Sequence, residues 1–332
     1  MVRCTVVGSG SWGTTFAQVL ADAGNEVVVW TAREATARSI TDDHANPTYL
    51  PGIALSDAIS ATTDLTAALA GAEVVVVALP SQIVREVLAP YAAAVPGDAV
   101  VVSLMKGVEL GTDERMSQVL GEIWDLPTER IAVVSGPNLA GEIALQQPTT
   151  TVVACEDEDV ALRIARTCAT PYFRTFTTTD VIGVEIGGAV KNVIALAVGI
   201  AQGLGYGDNT MASIMTRGLS EAARIGAAVG AQPATFAGLA GMGDLIATCS
   251  SPLSRNHRLG SLLGQGRSLE EAVVEIGSTA EGAKSCRSIL DLAHQHGVKT
   301  SIIAAVVAVL YEGMTVPEMV ARLVDRPPRP ED

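Results

Sequence analysis

Short valine-rich runs alternate with amphipathic stretches through the first half of the chain. The runs fall at 3–7, 27–30, 59–62, 74–78, 99–104, 131–135, 150–154 and 173–177, and helix-length segments such as 12–23, 81–94 and 157–167 lie between most of them. Continuous apolar runs separated by helices predict a parallel sheet covered on both faces, because each crossover helix buries one side of the sheet. The last runs are expected to form an antiparallel extension. After about residue 180 strand-like alternation nearly stops, and alanine-rich helical patterns follow one another at 188–200, 211–229, 269–276, 280–295 and 301–312. At 332 residues the chain exceeds the usual size of one core, so two domains are expected. The predicted fold class is α/β: a doubly wound, Rossmann-type sheet in residues 1–180, then an all-helical domain in 181–325. No flexible linker separates the two, which predicts close packing. Residues 326–332 are proline-rich and charged and predict a fraying tail.

Composition narrows the function classes. The net charge is −14, which argues against nucleic acid as a partner, since phosphate backbones are held by clustered Lys and Arg. A site for an anionic substrate must then be made locally positive. Only four lysines occur, Lys106, Lys191, Lys284 and Lys299, so a lysine here is unlike background surface charge. The five cysteines lack close pairing and the four histidines lack metal spacing, which predicts a reducing, cytoplasmic setting and no catalytic metal. No uninterrupted apolar run reaches the roughly 18 residues of a membrane span, and no signal-like lead precedes the first strand.

The turn Gly8-Ser9-Gly10-Ser11-Trp12-Gly13 follows the first strand and opens a helix that ends at Gly24, just before the second strand. In that context G-x-G-x-x-G is a dinucleotide fingerprint. Gly8 allows the tight turn, Gly10 lets backbone approach a pyrophosphate, and Gly13 lets helix and strand pack closely. The helix N-terminus adds free N–H groups and the positive end of its dipole. The second strand ends Trp30-Thr31-Ala32-Arg33, with no acid before Glu34 to take a ribose 2′-hydroxyl. Arg33 could fork onto a 2′-phosphate or stand solvated in a first helical turn, so NADP(H) is favoured over NAD(H).

Several polar residues stand where the pattern is otherwise apolar. Lys106 follows a buried strand at its C-terminal end, where open α/β sheets bind ligands. Gly136-Pro137 forces a turn, after which Asn138 is either a helix cap or a ligand contact. Lys191 and Asn192 interrupt a helix that is apolar nearly all round; a buried lysine can act in proton transfer, whereas one near a helix end snorkels outward. Asp244 sits in a glycine-rich apolar stretch and could orient a neighbouring lysine. Ser254-Arg255-Asn256 places a hydroxyl, a fork and an amide together as a phosphate clamp, with Ser254 equally suited to cap a helix. After the fourth strand, Ser81 suits either a nicotinamide-side loop or a helix cap.

Taken together, Gly8–Thr14, Asn46-Pro47-Thr48-Tyr49-Leu50-Pro51, Lys106-Gly107, Ser135-Gly136-Pro137, Gly187–Asn192, Gly241–Leu245 and Ser254–Asn256 make the chain resemble the bacterial-type NAD(P)-dependent glycerol-3-phosphate dehydrogenases over nearly its whole length. The resemblance implies a helical domain like the C-terminal one of 6-phosphogluconate dehydrogenase. It also implies interconversion of dihydroxyacetone phosphate and sn-glycerol 3-phosphate, the backbone of membrane phospholipids. Lys191 then matches the family's proton donor and acceptor. Lys106, Gly136, Asn138, Lys191, Asp244, Ser254, Arg255 and Asn256 match substrate positions, and Ser11, Trp12, Arg33, Lys106, Ala140, Arg255 and Glu281 match dinucleotide positions. Asn138 replaces the family's usual small hydroxyl residue, and Ala32 stands where many members carry a second polar or basic side chain. Expected partners are a small phosphorylated substrate and a second copy in a homodimer. The competing readings are a keto- or hydroxy-acid reductase of the same two-domain plan and a dinucleotide sensor without turnover.

Overall fold

The computed structural model describes residues 1–277 and 280–324, so the predicted tail at 326–332 lies outside the described residues. Eight strands form one sheet: β1 (Arg3–Val7), β2 (Glu26–Trp30), β3 (Ile59–Thr62), β4 (Val74–Val77), β5 (Val100–Ser103), β6 (Ile131–Ser135), β7 (Thr149–Ala154) and β8 (Phe173–Thr178). Their order is β3-β2-β1-β4-β5-β6-β7-β8. The first six pair in parallel, β7 runs antiparallel to β6, and β8 lies parallel to β7. The expected antiparallel extension is thus a two-stranded one.

The central strands β1, β4, β5 and β6 are buried on both faces because both faces are covered, whereas the edge strands β3 and β8 are partly exposed. One face packs Val6, Val76, Val102 and Val134 around Phe16, and the other packs Val7, Val75, Val77 and Val101 around Leu120. Parallel pairing also sends the loops after β1, β4, β5 and β6 to one edge, with the strand order reversing between β1 and β4. That reversal opens a crevice at the carboxyl ends of the strands, where open sheets hold ligands.

The helical domain wraps the helix Val181–Gly203, 23 residues long and buried along nearly its whole length. Asp180 caps its start by accepting from Gly183 N (2.9 Å), and also accepts from Gln232 N (3.0 Å). The pattern at 188–200 therefore marked only the middle of this element. By length and composition it is apolar enough to cross a membrane, although no uninterrupted apolar run within it reaches that length. The polar Glu185, Lys191 and Asn192 break the apolar run in sequence, yet all are buried and paired with side chains of other elements, Ser117, Asp244 and Asn256 respectively. Burial along nearly its whole length makes it the core helix of this domain. Helix Arg255–Gly264 crosses it backbone to backbone at Gly199 and Gly260, where an added Cβ would lie 2.1 Å from His257 O and 2.1 Å from Leu196 O respectively. Only residues without a side chain allow so close a crossing.

The segment predicted as one helix at 81–94 is broken into a 3-10 turn Ser81–Ile83, a short helix Val84–Leu88 and a 3-10 turn Ala89–Tyr91; Pro90, which has no N–H to continue the ladder, ends the middle piece. Val133, Ala154, Val181, Val184 and Ala240 form a small apolar cluster that joins sheet to helices.

Candidate active site

The turn after β1 is held from below. Gly8 adopts a φ of +120°, and a Cβ there would sit 2.6 Å from Ala78 O; a Cβ on Gly13 would sit 2.1 Å from Gly8 O. Above Gly10 nothing lies within 4 Å of an added Cβ, so the space on that side is open. Helix Ser11–Asp22 begins at Gly10 with no side chain capping its free N–H groups. Asn46 Nδ2 donates to Ser9 O (2.9 Å) and Thr14 Oγ1 (2.8 Å), which gives the Asn46–Pro51 motif a role in bracing the turn. Ser11 Oγ donates to Tyr49 O (3.2 Å). The Trp12 ring packs on Phe16 and Phe173, so what it offers the turn is its backbone. Ala140 starts a short helix, and its carbonyl accepts from Thr15 Oγ1 (3.2 Å), which draws it against the turn's own helix.

At the end of β2 Arg33 is exposed, and among the described residues its guanidinium has no protein partner. Glu34 instead accepts from Thr63 Oγ1 (3.2 Å) at the end of β3.

Beyond the crevice the central helix brings Lys191 to the edge of the sheet. Lys191 Nζ donates to Asp244 Oδ1 (2.5 Å) and to Thr248 Oγ1 (2.6 Å). Lys106 Nζ donates to the other oxygen, Asp244 Oδ2 (2.5 Å), and to Gly136 O (3.1 Å). Asp244 is 1% exposed and Lys191 8%, so Lys191 does not snorkel outward. Burial pushes Lys106 down to about 8; nearby Lys191 adds to the effect, and Asp244 opposes it. Two ammoniums on one buried carboxylate leave a net positive site inside a strongly negative protein. Asp244 reaches this place at the start of helix Asp244–Ser250, directly after the π-helical turn Leu239–Gly243.

Asn192 Nδ2 donates to Lys106 O (3.2 Å), Asn256 Nδ2 donates to Asn192 Oδ1 (2.9 Å), and Asn256 Oδ1 accepts from Gly282 N (3.0 Å). This relay ties the loop after β5 to three helices. Asn192 stood out in the sequence as an amide in an apolar helix, but nothing there disclosed its partners. Ser254 caps helix Arg255–Gly264, accepting from His257 N (3.3 Å), while Arg255 beside it is exposed with no guanidinium partner among the described residues. Asn138 is not a cap: Leu139 precedes helix Ala140–Ala144, and Asn138 Nδ2 donates to Thr151 Oγ1 (2.8 Å). Ser81 is not a cap either, since its hydroxyl donates to Glu281 Oε2 (2.5 Å). Gly136 turns with a φ of +151°. Thr248 escaped the sequence reading because it does not depart from its surroundings in type, and the bond between Ser81 and Glu281 because the two lie 200 residues apart.

Family models for the N-terminus and the C-terminus of NAD-dependent glycerol-3-phosphate dehydrogenase match residues 3–161 and 180–321. A glycerol-3-phosphate dehydrogenase (NAD(P)+) of Streptomyces griseus is 56% identical over 330 residues, 99% of this chain and 98% of that one. One from Thermobifida fusca is 54% identical over 100% of this chain and 99% of its own. The crystal structure of a glycerol-3-phosphate dehydrogenase from Coxiella burnetii matches with a TM-score of 0.93 at 32% identity, covering 98% of this chain and 99% of that one.

Proposed function

The chain belongs to the NAD-dependent glycerol-3-phosphate dehydrogenase family, and from that premise we propose that it reduces dihydroxyacetone phosphate to sn-glycerol 3-phosphate, reversibly, with Lys191 as the proton donor. The observation that carries this reading is the sharing of Asp244 by Lys106 and Lys191.

Reduction of a ketone needs a hydride at carbon and a proton at oxygen. A reduced nicotinamide dinucleotide held at the turn after β1 would supply the hydride. The turn at Gly8, Gly10, Ser11, Trp12 and Gly13 suits a pyrophosphate, with open space over Gly10 and uncapped N–H groups beneath it. Ala140 and Glu281 would line the same dinucleotide. Lys191 delivers the proton to the carbonyl oxygen, held in place by Asp244 and Thr248 so that little reorganisation precedes transfer. In the reverse direction its neutral amine takes the hydroxyl proton. Lys106 keeps positive charge beside the reacting oxygen. Arg255, free of protein partners among the described residues, would fork onto the phosphate; Ser254, Asn256, Gly136 and Asn138 would frame the rest of the substrate.

NADP(H) is favoured over NAD(H) because Arg33 stands free while Glu34 is engaged with Thr63. The functional division falls near residue 180, dinucleotide before it and most of the catalytic groups after it. The five unpaired, buried cysteines suit a reducing cytoplasm, and the helical half suits a homodimer interface, which light scattering would check. The carboxylate of a keto acid could also fork onto Arg255, so it is the family match that favours the phosphorylated ketone, and a sensor gains nothing from a buried proton donor. The test is consumption of NADPH on adding dihydroxyacetone phosphate, with sn-glycerol 3-phosphate identified as product and the assay repeated with NADH. No oxidation of either nucleotide would overturn the enzyme reading.

A further inference from the structure

The loop that carries Lys106 and the helix that carries Glu281 are tied to the same two residues, Ser81 and Gln82, which follow β4. Gln82 Nε2 donates to Val108 O (2.8 Å), and Gln82 Oε1 accepts from Leu110 N (2.9 Å). One side-chain amide thus satisfies a backbone acceptor and a backbone donor just past Lys106. Ser81 turns the other way, donating to Glu281 Oε2 (2.5 Å) and lying 3.5 Å from Ser285 Oγ. Between them passes Gly107, where an added Cβ would sit 2.3 Å from Ser81 Oγ and 2.8 Å from Ser285 Oγ. Three segments, from β4, β5 and helix Glu281–Gln295, therefore meet with no room for a side chain between them.

We propose that Gln82 is a positioning residue for the reaction: it sets the loop after β5 so that Lys106 reaches Asp244, while Ser81 holds Glu281 in register beside it. The proposal rests on the assignment of Glu281 to the dinucleotide and, of the two roles matched to Lys106, on the one at the substrate. An amide is suited to the task, since it presents a donor and an acceptor side by side in one plane. Val108 is fully buried, so its carbonyl would lose its partner without a ready replacement from water. Lys106 must also share a carboxylate already used by Lys191, and a small displacement of its loop undoes that geometry.

The test compares wild type, Gln82→Met, Gln82→Glu and Ser81→Ala, measuring KM for dihydroxyacetone phosphate and Kd for NADPH. Gln82→Met keeps side-chain length but removes the bonds with Val108 O and Leu110 N and the two longer ones from Nε2 to Ser81 Oγ and Ser285 Oγ (3.4 Å each), and is expected to raise the substrate KM about tenfold while leaving NADPH binding within about twofold. Gln82→Glu keeps the acceptor for Leu110 N but turns a carboxylate oxygen on the buried Val108 O, and should raise the substrate KM at least as much. Ser81→Ala should show the opposite split, weakening NADPH and sparing the substrate. The proposal is overturned if Gln82→Met leaves the substrate KM unchanged, or if both Gln82 variants lose substrate and NADPH affinity in proportion, as a merely structural residue would. A wild-type protein that leaves NADPH unconsumed would instead overturn the underlying enzyme reading.

Discussion

Lys106 and Lys191 donate to opposite oxygens of one buried carboxylate, Oδ2 and Oδ1 of Asp244, each at 2.5 Å. The carboxylate compensates two charges that would otherwise oppose each other in a site with little water. Several measurable consequences come from that arrangement and its surroundings.

Lys106 is held down to about 8, chiefly by burial. Its charged form is therefore lost as pH rises through about 8, well below the usual lysine range. The expected outcome is an alkaline fall in kcat/KM for dihydroxyacetone phosphate with an apparent pKa near that value. Lys106→Arg, which stays charged, should lower activity but remove this limb. An identical limb in the variant would assign the ionisation to another group.

Arg255→Ala should raise KM for dihydroxyacetone phosphate by about ten- to a hundredfold, the scale of a lost charged hydrogen bond. Slow reduction of unphosphorylated dihydroxyacetone should be affected far less. Equal losses on both compounds would place the phosphate elsewhere.

Arg33→Ala should lower the preference for NADPH over NADH by roughly tenfold, since only the 2′-phosphate distinguishes them. Kd values for the two nucleotides, measured on wild type and variant, decide this. A preference that survives the change would remove Arg33 from cofactor selection.

Gly199→Ala places a Cβ 2.1 Å from His257 O across the helix crossing. Two backbones must then separate, which is expected to destabilise the fold by about 1–3 kcal/mol. A urea midpoint equal to that of wild type would show that the crossing has slack.

The parts legible in the sequence are those whose residues are neighbours or oddities. Gly8–Gly13 could be read because strand, turn and helix are contiguous, and Lys191 because an ammonium in an apolar helix is conspicuous. Lys106 stood out by the rarity of lysine. What joins them did not: Asp244 lies 138 residues from Lys106 and 53 from Lys191, and Ser81 lies 200 from Glu281. A sequence shows that a residue can accept or donate, but the fold chooses the partner. For that reason Asn138 and Ser81 suited a helix cap as well as a ligand-side role in sequence, and both spend their side chains on tertiary contacts. Trp12 was legible as part of the turn, while its ring's burial against Phe173 depended on β8.

The most direct measurement follows NADPH consumption with dihydroxyacetone phosphate for wild type and Lys191→Ala, alongside NADPH binding to each. The account predicts turnover by wild type, a loss of about a thousandfold in kcat for the variant, and NADPH binding retained by both. A variant that turns over at the wild-type rate would contradict it.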